Sequence, residues 1–181
     1  MKKRIQLHDK TFEVAVTEEQ LLTVIDRLAG ELTRDYADKN PVFVVVLNGA
    51  FVFASDLLRK VNFPCAFSFM KYSSYSGTQS TGVITEQLAV SEDIEGRHVV
   101  VIEDIVETGI SMKYMLDRLW ERKPASIEVC VLSHKPECCK VPGLTVKYIG
   151  MTLPDAFVVG YGFDYNQAGR YLRDIYALVE D

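Results

Sequence analysis

The stretch VVVIEDIVETGIS, residues 99–111, decides how the fold is interpreted. An apolar run leads directly into Glu103 and Asp104, and Glu107 follows shortly before a Thr-Gly dipeptide. A continuous rather than alternating apolar run is typical of a strand buried on both faces, as in a parallel sheet. Ligands of open α/β sheets bind beyond the carboxyl ends of such strands. We therefore expect a strand at 99–103 and a binding site at its acidic end.

The rest of the chain alternates strand and helix patterns around this stretch. We predict further strands at 5–7, 12–16, 42–47, 65–72, 83–90, 126–133, 144–150, within 156–166 and at 175–179. We predict helices at 18–37, near 51–60 and at 112–123, with Thr17 and Gln20 as a capping box for the first. This alternation predicts an α/β fold with a mainly parallel central sheet flanked by helices, in a single domain 1–181.

Composition excludes several classes of protein. The 181 residues are 48% hydrophobic and 25% charged, which is typical of one globular domain. A net charge of -5 argues against a general nucleic-acid binder, whose domain would usually be basic. No apolar run is long enough to cross a bilayer and no signal-like block follows the start, so we expect a cytoplasmic protein without a membrane partner. The four cysteines form no Cys-x-x-Cys or zinc-like spacing and are expected to be free thiols.

The turn that follows the acidic pair has the chemistry of a phosphate site. Thr108–Ser111 opens a helix, and exposed backbone N–H groups with two hydroxyls would hold a phosphate there. A plain helix cap at Ser111 would explain one nearby acid, but not both Glu103 and Asp104 at the end of a buried strand. Carboxylates accept hydrogen bonds from hydroxyls and hold divalent cations. The ligand should therefore carry a phosphate at one end and hydroxyls at the other, and a ribose 5-phosphate fits.

The same stretch resembles the phosphoribosyl-pyrophosphate (PRPP) motif of the type I phosphoribosyltransferases. That motif has a hydrophobic run, an acidic pair, two apolar residues, an acid and Thr-Gly. The resemblance covers nearly the whole chain and points to the bacterial hypoxanthine-guanine branch. VVVLNGAFVF looks like the pyrophosphate loop of that branch, KYSSYSGTQSTG like its mobile loop, HKPE like its base-binding lysine segment, and LPDAFVVGYGFDYNQAGR like its purine pocket. The implied fold has a core of about 17–160 and a small hood from the N-terminal hairpin and the C-terminal segment.

The resemblance implies roles for the residues of the motif. Glu103 and Asp104 would meet the ribose hydroxyls and magnesium. Glu107 stands where the family usually has aspartate, and it would act as the general base for the purine nitrogen. The 5-phosphate would be held by Thr108, Gly109, Ile110 and Ser111.

The resemblance also implies a purine pocket. Lys135 would meet the 6-oxygen of the base, and since an ammonium group only donates hydrogen bonds, adenine should be rejected. Phe157 would stack on the base, and Val158 would bind its edge through the backbone. In isolation, these three residues would be interpreted as a surface lysine and two core residues.

Pyrophosphate and a second metal complete the implied site. The pyrophosphate contacts would be Leu47, Asn48, Gly49 and Arg170, with a cis peptide expected between the first two. Asp164 would bind the second magnesium ion. The loop 73–82, with Ser74 and Tyr75 facing the site, would close over the reaction centre. Two departures from the family are notable: Cys138 and Cys139 stand where arginines are frequent, and Thr152 replaces a usual glutamate.

The implied reaction transfers the phosphoribosyl group of PRPP to hypoxanthine or guanine, with Mg²⁺ as cofactor, in a homo-oligomer that is a dimer or a tetramer. Xanthine is not excluded, and a transferase of the same fold that acts on a pyrimidine is a further alternative. A non-catalytic PRPP-sensing regulator that binds nucleic acid is a third, which the absence of a basic cluster disfavours. A plain Rossmann-like nucleotide binder is disfavoured because no Gly-x-Gly-x-x-Gly follows a strand.

Overall fold

The computed structural model of the chain describes residues 3–74, 84–153 and 156–179. Its strands are β1 (Arg4–Leu7), β2 (Lys10–Val16), β3 (Val42–Leu47), β4 (Ala66–Ser74), β5 (Ile84–Leu88), β6 (His98–Val106), β7 (Ser126–His134), β8 (Tyr148–Thr152), β9 (Val158–Val159) and β10 (Ile175–Leu178). Its helices are α1 (Glu18–Tyr36), α2 (Phe51–Leu58) and α3 (Ile110–Trp120), and a 3₁₀ turn spans Pro136–Cys138. None of the helices in the described ranges is long and apolar enough to cross a bilayer.

The central sheet has the strand order β5-β4-β3-β6-β7-β8. Neighbouring strands from β4 to β8 pair in parallel, and β5 pairs antiparallel with β4 at one edge. Strand β3 shows why its sequence is apolar throughout: Phe43 and Val45 pack in a core with α1 and α2, whereas Val42 and Val44 pack in a second core with α3. The predicted α/β fold with a mainly parallel sheet flanked by helices is therefore confirmed.

Helix α1 begins and packs as its sequence pattern predicts. The Thr17 hydroxyl accepts from the Gln20 backbone N–H, and the Gln20 side chain accepts from the Thr17 N–H at 2.9 Å. This capping box satisfies N–H groups that the first helical turn leaves unpaired. The buried stripe of the helix consists of Leu21, Ile25, Leu28, Ala29, Leu32 and Tyr36.

A smaller antiparallel sheet has the order β1-β2-β10-β9 and is called the hood sheet below. It joins the N-terminal hairpin to the C-terminal segment, and its own core is formed by Phe12, Val159 and Tyr176. Strand β9, at Val158–Val159, already belongs to this sheet.

Two predicted strands are shifted, and both shifts have a tertiary cause. We predicted 144–150 as a strand, but β8 spans Tyr148–Thr152 because β7 provides its hydrogen-bonding partners from Cys130 to His134. Residues 144 and 146 pack instead against the core beneath α3. The strand within 156–166 is limited to β9 because the chain turns at Gly160, whose φ is 97°.

Candidate active site

The acidic pair lies within strand β6 and not after it. We predicted that the strand ends at 103, but β6 continues to Val106 because Glu103, Ile105 and Val106 each lie opposite a residue of β7. Successive side chains of a strand point to opposite faces. Accordingly Glu103 lines a cavity on the α3 side, and Asp104 lines a second cavity on the other side. Ile105 and Glu107 line both cavities, so the two adjoin.

The first cavity, which we call the phosphate cavity, has a volume of about 200 Å³ and lies at the start of α3. Thr108, Gly109 and Ser111 line it together with Glu103. Gly109 is the N-cap of α3 with φ at 77°, and a Cβ there would lie 2.7 Å from Leu144 Cδ2. Only glycine fits this left-handed, crowded position. Since Gly109 and Ser111 at the start of α3 line the cavity, the backbone N–H groups of a helix start would favour an anion there.

The second cavity, which we call the base cavity, has a volume of about 290 Å³. Lys135 lies at its floor with only 6% of its surface exposed. The Lys135 ammonium is 3.2 Å from Glu107 Oε1 and donates to the Ala156 carbonyl oxygen at 3.1 Å. Charged groups are rarely buried unless they are paired. The interpretation of Lys135 as a solvated surface residue is therefore wrong.

Phe157 and Val158 form one wall of the base cavity. The Phe157 side chain is 47% exposed, although an isolated phenylalanine in an apolar strand would be expected in the core. Leu178 N–H donates to the Phe157 carbonyl oxygen at 2.9 Å, and Val158 lies opposite Ala177. Since hydrogen-bonded residues alternate along an antiparallel pair, the peptide groups of Val158 point away from β10. Strand β9 is an edge of the hood sheet, so these groups are available to a ligand.

The loop after β3 meets the acidic pair directly. The peptide bond between Leu47 and Asn48 is cis, as expected. A Cβ at Gly49 would lie 1.8 Å from Asp104 Oδ2, so glycine is required there. A Cβ at Gly162 would lie 2.1 Å from the Gly49 carbonyl oxygen, which places the segment after β9 against the same loop. Three separate stretches of sequence thus converge on Asp104.

Arg170 and Asp164 close the far side of the base cavity. Their side chains form an ion pair with 2.5 Å between Arg170 Nη2 and Asp164 Oδ1. Arg170 Nη1 also donates to the Gly162 carbonyl oxygen at 2.6 Å, and the Gln167 N–H donates to Asp164 Oδ2 at 2.8 Å. Both side chains are thus oriented by neighbours within the same loop before any ligand binds.

The acidic pair is electrostatically unfavourable without a counter-charge. Burial, followed by the charge of Asp104, raises the pKa of Glu103 well above its ordinary value. Burial also raises the pKa of Asp104, although a hydrogen bond from Glu103, the Ile105 N–H and the charge of Arg170 oppose this shift. A cation between the carboxylates would relieve the cost of ionising them.

The donor set fits a magnesium ion. Among the described residues, no three His, Cys, Asp or Glu side chains form a cluster that would hold a metal by themselves. Mg²⁺, however, usually binds one or two carboxylates and takes its remaining ligands from water and substrate phosphates. Glu103, Asp104 and Asp164 line the two adjoining cavities and provide carboxylate oxygens of this kind.

Comparison with known proteins agrees with this geometry. Residues 16–166 match the model of the phosphoribosyl transferase domain. The chain belongs to the phosphoribosyltransferase family. It is 41% identical to the hypoxanthine-guanine-xanthine phosphoribosyltransferase of Tritrichomonas foetus, over 95% of this chain and 94% of that protein. It is 39% identical to the hypoxanthine-guanine phosphoribosyltransferase of Streptococcus pneumoniae, over 93% of this chain and 94% of that protein.

A solved structure shows the same fold. The crystal structure of a hypoxanthine-guanine phosphoribosyltransferase from Bacillus anthracis aligns with a TM-score of 0.87 and 36% identity, covering 92% of this chain and 98% of that one. The predicted type I phosphoribosyltransferase fold is thereby confirmed.

The structure of this phosphoribosyltransferase brings most of the predicted site residues together. Around the base cavity lie Asp104, Glu107, Lys135, Phe157, Val158, Asp164 and Arg170. Around the phosphate cavity lie Glu103, Thr108, Gly109 and Ser111. The side chain of Ile110 is 51% exposed, and its N–H donates to Thr108 Oγ1 at 3.4 Å. Tyr75 and most of the loop 73–82 lie outside the described residues, and of Ser74 only the backbone, at the end of β4, is described.

Ala156 and Cys139 are among the residues of the site that sequence reasoning missed. The carbonyl of Ala156 accepts from Lys135, and nothing in the sequence distinguishes this alanine. Cys139, interpreted only as a departure from the family, packs against the phosphate turn: its Sγ lies 3.3 Å from where a Cβ of Gly109 would be. The adjacent Lys140 N–H donates to the Thr108 carbonyl oxygen at 2.9 Å, so this segment supports the turn.

Proposed function

We propose that this phosphoribosyltransferase transfers the 5-phosphoribosyl group of PRPP to hypoxanthine or guanine and so produces IMP or GMP and pyrophosphate. The observation that carries this proposal is the junction of two cavities at Glu107. One cavity has the start of a helix for a phosphate, and the other has a buried ammonium beside an exposed aromatic ring. PRPP and a 6-oxopurine together have this shape and polarity, and the names of the relatives agree.

The reaction is a displacement at the sugar C1. The bond from C1 to the pyrophosphate oxygen breaks, and a bond from C1 to the purine nitrogen forms. The nitrogen loses a proton, and Glu107 accepts it as general base. Its side chain is 47% exposed at the mouth of the base cavity, and its carboxylate is oriented by Lys135 at 3.2 Å.

Lys135 supplies the selectivity for the base. Its ammonium donates hydrogen bonds and accepts none, so it suits a 6-oxygen and not the exocyclic amine of adenine. Because the group is buried, a base that presents a donor to it instead of an acceptor is strongly disfavoured, and such sites discriminate by about 10⁴ or more. Phe157 stacks on the base, and the free peptide groups of Val158 bind its edge.

Pyrophosphate lies between the loop after β3 and Arg170. Gly49 provides a backbone surface directly beside Asp104, where no side chain fits. Asn48 is neutral, which leaves backbone donors and Arg170 as the main protein contacts. Magnesium, held by Glu103 and Asp104 with a second ion at Asp164, would neutralise the charge of the leaving pyrophosphate.

Three finer expectations belong to the same proposal. Xanthine is a candidate third substrate, because the relative from Tritrichomonas foetus is named for it. The protein works in the cytoplasm, which suits the free thiols of its four cysteines. It assembles as a homo-oligomer.

A spectrophotometric assay tests the proposal. The purified protein is incubated with PRPP and Mg²⁺ and with hypoxanthine, guanine, xanthine, adenine or uracil. Hypoxanthine and guanine should be converted, and adenine and uracil should not. Adenine turnover equal to that of hypoxanthine would remove Lys135 from its role, and no turnover of any base would refute the proposed function. RNA and DNA filter binding, expected to be negative, separates the enzyme from a nucleic-acid-binding regulator.

A further inference from the structure

The ring of Phe157 has an unusual support. It is 47% exposed at the start of β9, and an edge strand alone does not fix the plane of such a ring. Two aromatic rings lie around it. Phe12 is 6.2 Å away between centroids at an interplanar angle of 43°, and Tyr165 is 5.7 Å away at 84°. The edge-to-face contact with Tyr165 is a favoured aromatic geometry and restrains the Phe157 ring.

Tyr165 is itself held in place by the N-terminal hairpin. Its hydroxyl donates to Asp9 Oδ1 at 2.8 Å, in the turn between β1 and β2. The imidazole of His8 packs edge-on against its ring at 5.5 Å, and the Lys10 ammonium lies 5.9 Å from the ring centre. The backbone of Tyr165 is also fixed, since it exchanges two hydrogen bonds with Ala168.

The hairpin and the loop of Tyr165 fit closely. Gly169, with φ at 101°, would place a Cβ 2.9 Å from Leu7 Cδ1. The loop of Tyr165 also carries Asp164 and Arg170 on either side. The turn of the hairpin is therefore linked through one tyrosine to the aromatic wall of the base cavity and to its charged end.

We propose that Tyr165 and Asp9 are positioning residues for the purine. The hydrogen bond from the phenol to the carboxylate holds the Tyr165 ring edge-on against Phe157, and this fixes the plane on which the base stacks. Neither Tyr165 nor Asp9 lines the base cavity, so their effect reaches the substrate through Phe157. This inference rests on the proposed function, in which Phe157 stacks on the base.

The test removes the donor or the acceptor of this hydrogen bond. Tyr165→Phe and Asp9→Ala should each raise KM for hypoxanthine and for guanine by about three- to tenfold, the range expected for loss of one ordinary hydrogen bond. KM for PRPP and kcat should stay within about twofold of the wild type. Because both substitutions break the same contact, the double variant should be no worse than the single ones.

Tyr148→Phe is the matched control. The Tyr148 hydroxyl donates to Asp35 Oδ2 at 2.7 Å, and the residue lies in β8, lining neither cavity. Tyr148→Phe should leave the KM for the purine and the KM for PRPP unchanged, even if the melting temperature of this variant is lower than that of the wild type. An active wild type with unchanged purine KM in Tyr165→Phe and Asp9→Ala would overturn the inference, as would equal changes in the KM for purine and the KM for PRPP. An inactive wild type would instead refute the proposed function.

Discussion

Among single residues, Glu107 has the closest link to the chemistry. It lies at the junction of the two cavities, and its carboxylate meets the buried ammonium of Lys135 at 3.2 Å. In the proposed function, this pair serves both proton transfer and recognition of the base. Glu103, in contrast, is half-buried beside Asp104, and a bound cation would relieve the cost of ionising it.

Replacement of Glu107 tests proton transfer. Glu107→Gln keeps the size of the side chain and an oxygen for Lys135 but loses the proton acceptor. We expect kcat to fall by about 10²–10⁴, the usual contribution of a general base, with PRPP affinity little changed. Steady-state kinetics measure kcat, and Glu107→Asp is the control, which should retain most activity. An unchanged kcat in Glu107→Gln would exclude the general-base role.

The raised pKa of Glu103 predicts that the stability of the folded protein depends on pH. Its pKa is raised in the folded protein, so the folded state binds this proton more tightly than the unfolded state. The resulting stabilisation is present at low pH and is lost as pH rises through the raised pKa. At about pH 8, Glu103→Gln should therefore have a higher melting temperature than the wild type. The expected rise is about 2–4 °C for each kcal/mol of ionisation cost that the substitution removes. The difference should disappear below the ordinary pKa of 4.5.

Calorimetry of the ligand-free proteins across this pH range measures the effect. The same variant should bind PRPP with Mg²⁺ more weakly, because it has lost a carboxylate that would hold the magnesium ion. A variant that melts below the wild type at about pH 8 would show that the ionised carboxylate is not a cost to the ligand-free fold.

Among the elements, the loop between β3 and α2 determines the geometry of the site. It brings Gly49 against the Asp104 carboxylate, and the segment after β9 brings Gly162 against Gly49. Each contact joins elements that are far apart in the chain. The position of Asp104 is thus defined by three elements and not by β6 alone.

Gly49→Ala should displace the Asp104 carboxylate, since the added Cβ would lie 1.8 Å from Oδ2. A misplacement of about 1 Å costs about 10²-fold in catalysis, so kcat/KM for PRPP should fall by about that factor. Gly30→Ala is the matched control, because no atom lies within 4 Å of its added Cβ in α1. That variant should keep its kinetics and gain about 0.5–1 kcal/mol in stability. Equal kinetics for both variants would contradict the assigned role of the loop.

At the scale of the whole molecule, the site lies between the central sheet and the hood sheet. Asp104 lies in a strand of the first, and Glu107 and Lys135 directly follow two of its strands. Val158 lies in the edge strand of the second, and Phe157 directly precedes it. A ligand that contacts both sheets binds only the folded chain and should therefore stabilise the molecule against unfolding.

PRPP with Mg²⁺ should raise the melting temperature. When the PRPP concentration is about 100 times its Kd, binding to the folded state alone adds about 2.7 kcal/mol to the free energy of unfolding. For a chain of this size that corresponds to about 5–10 °C. Scanning fluorimetry measures the shift, with Mg²⁺ alone and PRPP with EDTA as controls. A full shift in the presence of EDTA would show that the acidic pair needs no cation to hold PRPP.

Local patterns in the sequence were sufficient to predict much of the architecture. The apolar run of β3 predicted a doubly buried strand, and Thr17 with Gln20 predicted the start of α1, because burial and capping depend on neighbouring residues. The PRPP motif on 99–111 indicated the family for the same reason. The acids and the phosphate turn are adjacent in the chain, so their chemistry can be inferred without knowledge of the fold.

Tertiary structure alone decided where these residues meet. Strand β6 extends past Asp104 because β7 offers hydrogen-bonding partners, and a strand ends where its neighbour ends. Lys135 is buried because Glu107 and the segment of Ala156 close around it. The support of Phe157 by Tyr165 joins residues that no local pattern relates. Contacts between distant segments depend on the packing of whole elements, and a periodicity that spans only a few residues contains no information about that packing.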